Sequence, residues 1–275
     1  MPTVRLTRKV TFSSGHRFWD PALSPEANKA RYGEWASPFN HGHNYVLEVT
    51  GSGAVDPDSG MVVNIKDIDD LLKARIVSRF AQKSINDEVE GFDTKTPCVE
   101  NLLLTIRDLV SDLPRGAVLE HLKLEETPTF FGEWSKEGDK VTLTRSYEFA
   151  ASHRLHQDAL SHEENVRLFG KCNNPNGHGH NYVLEVTVCG EPDPKTGFIV
   201  DFVALDKAVA SRVLERYDHK HLNLDVPELV GTNPTSEVIA VEIFKLLDGH
   251  VPGSLERIRL RETDRSSFEV RRGDV

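Results

Sequence analysis

A chain of 275 residues, 38% hydrophobic and 28% charged, is long enough for two domains that each bury a core of their own. A net charge of −10 and a pI near 5.6 argue against a general nucleic-acid binder, so an anionic substrate would need a local basic pocket. Three cysteines, at 98, 172 and 189, are too few and too irregular for a disulfide framework, and no stretch approaches the roughly 18 apolar residues of a membrane span. The amino-terminal MPTVRLTRKV has no apolar signal core, so a soluble, cytoplasmic protein is expected, with no nucleic-acid or membrane partner.

In chain order, alternating polar and apolar residues predict a first strand over Val4–Phe12. A loop of about 25 residues follows, and His-Gly-His-Asn-Tyr then leads into a second strand, YVLEVT. Asp56-Pro57 with Gly60 marks a turn. Helical spacing of Leu, Ile and Val predicts helices over Asp67–Phe80 and Cys98–Leu113. Two short strands, His121–Leu124 and Thr129–Trp134, close the first half. Ser135–Lys140, SKEGDK, reads as a linker.

The same order then repeats. The ten residues from His41 to Thr50, HGHNYVLEVT, recur unchanged from His178 to Thr187, 137 positions later. The matching elements are a strand Val141–Phe149, a turn at Asp193-Pro194 with Gly197, helices Asp201–Tyr217 and Ser236–Leu247, and strands Arg257–Arg261 and Ser267–Arg271. Each half is predicted to be a β-β-α-α-β-β module of the α+β class, with a four-stranded antiparallel sheet and two helices on one face. The expected domains are residues 1–135 and 140–275. Open sheet edges in a duplicated chain suggest closure into a ring of modules.

In the second half, His153 ends one strand and His178 and His180 begin the next. An His-x-His pair entering a strand puts both imidazoles on one face. If the strands are neighbours, three imidazoles converge, and three nitrogens with an open position are the pattern of catalytic zinc. Cys172 lies six residues before His178, across an Asn-Pro-Asn-Gly turn. A thiol beside a metal is readily deprotonated and suits a base or nucleophile; a fourth zinc ligand is the alternative. Cys98 and Cys189 read as structural. Asp218-His219 follow the long helix, where the carboxylate can orient the imidazole for proton transfer; a solvated helix end is equally open. Glu262, near a strand end, could grip a guanidine-like ring edge, although a surface salt bridge is the simpler reading from sequence.

Taken together, FAASHRL, CNNPNGHGHNY, DPKTGFIVDF, YDHKHLN, PTSEVIAV and RETD resemble the 6-pyruvoyl-tetrahydropterin synthase family of the tunnelling fold, across nearly the whole second half. The resemblance implies Zn2+ on His153, His178 and His180, with room for Mg2+ accompanying a triphosphate. It implies Cys172 as the base, Asp218 and His219 as its proton relay, and Glu262 as the pterin anchor. Thr235, Ser236 and Glu237 would line that pocket. The implied reaction is conversion of 7,8-dihydroneopterin triphosphate with loss of triphosphate, in a homo-oligomer such as a trimer of two-module chains with sites at module interfaces. A sister activity, 6-carboxytetrahydropterin synthase, takes the same substrate; the five residues between Cys172 and His178 favour the pyruvoyl product. A non-catalytic pterin-binding protein is the alternative from another class, and a zinc hydrolase using metal-bound water lacks an obvious carboxylate base.

The first half departs from the pattern. His16, His41 and His43 match the zinc ligands, Glu126 matches Glu262, and Glu100 matches Glu237. Trp35, however, stands where Cys172 stands, and Ala81 and Gln82 replace Asp218 and His219. This module is expected to hold zinc, and to have lost the acid–base machinery unless the adjoining Glu34 substitutes for the thiol.

Overall fold

The computed structural model describes residues 2–275. The chain divides into two compact units. One comprises the residues up to Leu143 together with Gly190–Ile199; the other comprises Thr144–Cys189 and Val200–Val275.

The first unit contains β1 (Thr3–His16), α1 (Pro25–Tyr32), β2 (His41–Ala54), α2 (Ile65–Leu72), α3 (Ser78–Phe80), β3 (Lys83–Ser84), α4 (Ile85–Glu88), α5 (Val99–Leu109), β4 (Val118–Thr127) and β5 (Phe130–Ser135). Its strands lie in the order β3-β1-β2-β4-β5, and the β1–β2, β2–β4 and β4–β5 pairs are antiparallel. The second unit repeats this plan with β6 (Lys140–His153), α6 (His162–Phe169), β7 (His178–Cys189), α7 (Phe202–Val209), α8 (Glu215–Tyr217), β8 (Lys220–His221), α9 (Leu222–Asp225), α10 (Ser236–Leu247), β9 (Ser254–Thr263) and β10 (Ser266–Arg271). Its order is β8-β6-β7-β9-β10.

The core follows from the two periodicities. Tyr45, Leu47 and Val49 alternate inward on β2, as Tyr182, Leu184 and Val186 do on β7. The long helix of each unit buries residues spaced by four: Ile68, Leu72, Ile76 and Phe80, and Leu205, Val209, Val213 and Tyr217. A spacing of four drifts off one face of an ideal 3.6-residue helix. Both helices correct the drift with a π-helical turn, Lys73–Val77 and Ala210–Leu214, which spends an extra residue per turn.

Three expectations are revised. The first strand of each unit runs four residues further than predicted and ends on the histidine itself, because its antiparallel partner begins on His41 and pairs His16 with His41. The long loop after it contains a helix, α1 or α6. α1 buries only Asn28 and Tyr32 and α6 only Asn165, so no buried apolar face marks them, and their caps specify them instead. Ser24 accepts from the Ala27 N–H with Pro25 at the first helical position, and Ser161 forms a capping box with Glu164. Each sheet also gains a two-residue parallel strand, β3 on β1 and β8 on β6. The expected linker forms a turn, with a 3-10 segment at Glu137–Asp139.

Candidate active site

The strand ends bring three imidazoles together in each unit. In the first, register places His16 opposite His41 and Ser14 opposite His43. His16 is fully buried and donates its Nδ1–H to the carbonyl of Pro97 at 2.8 Å, which leaves Nε2 as the lone pair facing the site. That Nε2 lies 2.9 Å from Nε2 of His41. The second unit repeats the arrangement: His153 Nδ1 bonds the Pro234 carbonyl at 2.7 Å, and its Nε2 lies 3.2 Å from Nε2 of His178. In each triad the potential ligand atoms all lie within 4.8 Å of one another.

Such crowding suits a cation. Burial pulls His16 down to about 3 and His43 down to about 4, and lowers His41, His153, His178 and His180, so the imidazoles are neutral at physiological pH. Nε2 of His43 and of His180 is buried without a hydrogen-bond partner. A buried nitrogen lone pair aimed at two others is an unmet acceptor unless a metal meets it. The backbone carbonyls that fix His16 and His153 are the outer support that ligating histidines require.

Around the second triad, Glu262 lies 3.7 Å from His180 and 3.9 Å from His153, and accepts a 2.8 Å hydrogen bond from the buried Ser236 hydroxyl. Thr235 caps α10 through the Val238 N–H, and Glu237 lies in that helix's first turn with its side chain exposed. Cys172 sits half-buried in the 3-10 turn Gly170–Asn173, where its carbonyl accepts from the Leu155 N–H at 2.9 Å. Asp218 accepts from the Ala150 N–H at 2.7 Å and pairs with Nδ1 of His219 at 2.8 Å. These contacts hold Asp218 below the usual carboxylate range. His219 adopts a left-handed φ of +58° and lines a cleft of about 460 Å3 together with His180, Asn181, Lys220 and His221. Among the described residues no hydrogen bond joins Cys172 to Asp218 or His219.

The first unit keeps the frame and changes the chemistry. Glu126 lies 3.7 Å from His43 and accepts from Tyr45 Oη at 3.5 Å. Gln82 takes the same left-handed turn as His219, at φ +60°, and donates its N–H to Ser13 as His219 donates to Ala150. Ala81 stands in the place of Asp218, so the turn survives without the acid–base pair. Trp35 is 44% exposed at the position of Cys172, beside an exposed Glu34. Glu100, unlike Glu237, is buried and accepts the Ile199 N–H at 2.9 Å. Cys98 is buried, and Cys189 donates to Glu256 at 3.0 Å.

Sequence reasoning overlooked three residues. Tyr45 and Tyr182 are fully buried two positions beyond the second histidine of each pair, with ring centroids 5.7 and 5.6 Å from it. Their period-two placement in HGHNY was the available signal. His221 carries a buried, unpartnered Nδ1 and has no counterpart in the first unit, where Ser84 stands.

Each half of the chain has relatives among known proteins. The family profile described as 6-pyruvoyl tetrahydropterin synthase matches residues 5–137 and again 142–273. A 6-pyruvoyl tetrahydrobiopterin synthase of Homo sapiens is 46% identical over 126 residues, which is 46% of this chain and 87% of the relative. A dihydroneopterin monophosphate aldolase of Pyrococcus furiosus is 37% identical over 93 residues, 34% of this chain and 75% of that protein. The solved structure of Caenorhabditis elegans 6-pyruvoyl tetrahydropterin synthase is 41% identical, covers 47% of this chain and 94% of its own, and superposes with a TM-score of 0.45. With the family's domain matched twice over nearly all of its length, the chain belongs to the 6-pyruvoyl tetrahydropterin synthase family.

Proposed function

We propose that the second unit is a zinc-dependent 6-pyruvoyl-tetrahydropterin synthase that converts 7,8-dihydroneopterin triphosphate with loss of triphosphate. Membership of the family makes the protein an enzyme of pterin metabolism. The finer reading is carried by one contrast: both units keep a histidine triad, and the second alone carries Cys172, Asp218 and His219 in its sequence.

In this reading His153, His178 and His180 hold Zn2+, and His16, His41 and His43 hold a second ion. Zinc held there would supply Lewis acidity that makes a nearby carbon-bound hydrogen of the substrate removable. Cys172 takes that proton as thiolate, and the Asp218–His219 pair carries protons to and from the cleft. Glu262, backed by the Ser236 hydroxyl, accepts two parallel hydrogen bonds from the guanidine-like edge of the pterin, and Thr235 and Glu237 line the same pocket. Trp35 cannot accept a proton, so the first unit binds metal without turnover. Three two-unit chains in a ring would bring neighbouring units to each site; light-scattering mass determination tests that assembly. No described helix is long and apolar enough to cross a membrane.

The test is incubation of the zinc-loaded protein with 7,8-dihydroneopterin triphosphate, followed by mass-spectrometric identification of the pterin product. The 6-pyruvoyl product is expected. A 6-carboxy product or a side-chain-cleaved pterin assigns the sister or aldolase activity instead, and no product refutes turnover. Cys172→Ala should reduce the rate by about 10^2- to 10^4-fold with unchanged metal content.

A further inference from the structure

The two units treat one pair of cations in opposite ways. In the first, Arg17 makes a fork-to-fork ion pair with Asp87, both contacts at 2.6 Å, and its Nη1 also donates to Asn40 at 3.0 Å. Ser84 completes the group by donating to Asp87 at 2.5 Å. Lys83 is paired with Glu88 at 3.0 Å. Both cations beside this triad are neutralised from within.

In the second unit the equivalent backbone is held in the same way. The Arg154 N–H bonds Asn223 at 2.8 Å, as the Arg17 N–H bonds Asn86 at 2.9 Å. Every side chain of the Arg17 network has been exchanged: Leu224 stands for Asp87, Gly177 for Asn40 and His221 for Ser84. Among the described residues Arg154 therefore has no carboxylate partner. Its Nη2 meets Nδ1 of His156 at 3.1 Å, which carries no charge to oppose it, and its Nε is buried without a partner. Among the described residues Lys220 is also unpaired: Asp225, one methylene shorter than Glu88, caps the His221 N–H at 2.8 Å and makes no ion pair with Lys220. Lys220, His219 and His221 line the cleft that contains His180.

We propose that Arg154, with Lys220 and the cleft imidazoles, forms an anion subsite of the second unit that takes the polyphosphate of the substrate, and that the first unit has closed the same subsite with its own Asp87. A guanidinium matches phosphate oxygens bidentately, and one already forked onto a carboxylate is not available to do so. A chain of net charge −10 needs such a local exception to admit a polyanion. The inference deepens the turnover reading above and rests on it for the identity of the phosphate ester. It adds that the first unit discriminates against phosphorylated ligands.

The experiment is calorimetric titration of the zinc-loaded full chain with inorganic triphosphate, in magnesium excess so that bound metal is retained. One anion site per chain is expected. Arg154→Gln should weaken binding on the order of 10- to 100-fold. Leu224→Asp should do the same by installing the carboxylate of the first unit; Leu224 is 74% exposed, so this variant tests the idea even if Arg154→Gln misfolds. Asp87→Leu should raise the stoichiometry to two. Wild-type affinity in both Arg154→Gln and Leu224→Asp, or two sites in the parent protein, overturns the proposal. Triphosphate binding through Arg154 without product formation leaves the subsite standing and removes the turnover reading. Normal turnover with an unchanged KM in both variants does the reverse.

Discussion

Gly177 joins the turn that carries Cys172 to the strand that carries His178. Its φ is +71°, and a Cβ there would lie 2.9 Å from the carbonyl oxygen of His153 and 3.0 Å from Nε2 of His221. The nearer neighbour is backbone, and it belongs to the first histidine of the triad, so it cannot swing aside as a side chain end would. For Gly177→Ala, left-handed backbone costs about 1–2 kcal/mol and the overlap about 1–3 kcal/mol. Gly249 provides the control: its φ is the same +71°, and a Cβ there meets nothing within 4 Å, so Gly249→Ala carries only the backbone cost. In thermal unfolding followed by a probe of the second unit, Gly177→Ala should lose more than Gly249→Ala, each 1 kcal/mol lowering Tm by roughly 4 °C for a unit of this size. Gly177→Ala should also weaken metal binding, and Gly249→Ala should not. Equal Tm losses, or undiminished metal affinity in Gly177→Ala, would refute the argument that this glycine is required by close approach to His153.

Other outcomes follow from the same geometry. His41→Ala with His43→Ala should remove about half of the bound zinc while Cys172-dependent turnover persists; unchanged zinc by elemental analysis would show that the first triad is not a site. Ile76→Ala deletes a fully buried side chain at the π turn and should cost about 2–5 kcal/mol in denaturant titration. Ala81→Asp with Gln82→His should be tolerated, because the left-handed turn already exists, and should restore no turnover while Trp35 occupies the position of the base. Burial raises the Glu100 carboxyl above its ordinary 4.5. The folded state then holds a proton that the unfolded chain releases, so stability is full below about that pH and falls as pH rises through the folded value. Glu100→Gln should flatten the fall in a pH series of unfolding curves.

Much of this was legible in the residues. Alternation and helical spacing marked the strands and the long helices, because burying one face imposes a period on any sequence. The repeat HGHNYVLEVT exposes the duplication, and period two places His178 and His180 on one face. The substitutions Trp35, Ala81 and Gln82 separated the units chemically. The α1 and α6 helices escaped because their stabilisation lies in caps and local hydrogen bonds rather than in an apolar stripe.

The sequence by itself determined which residue types each unit owns, and hence the family and the difference between a complete and an incomplete set of groups. Tertiary structure decided which of them meet. His153 converges with His178 and His180 only because β6 and β7 are neighbours, and their nitrogens are left as lone pairs only because Pro234 and burial fix the rings. The state of Arg17 and Arg154 could not be read locally either. It depends on Asp87 and Leu224, 70 positions away along the chain, and charge pairing is a matter of distance in space.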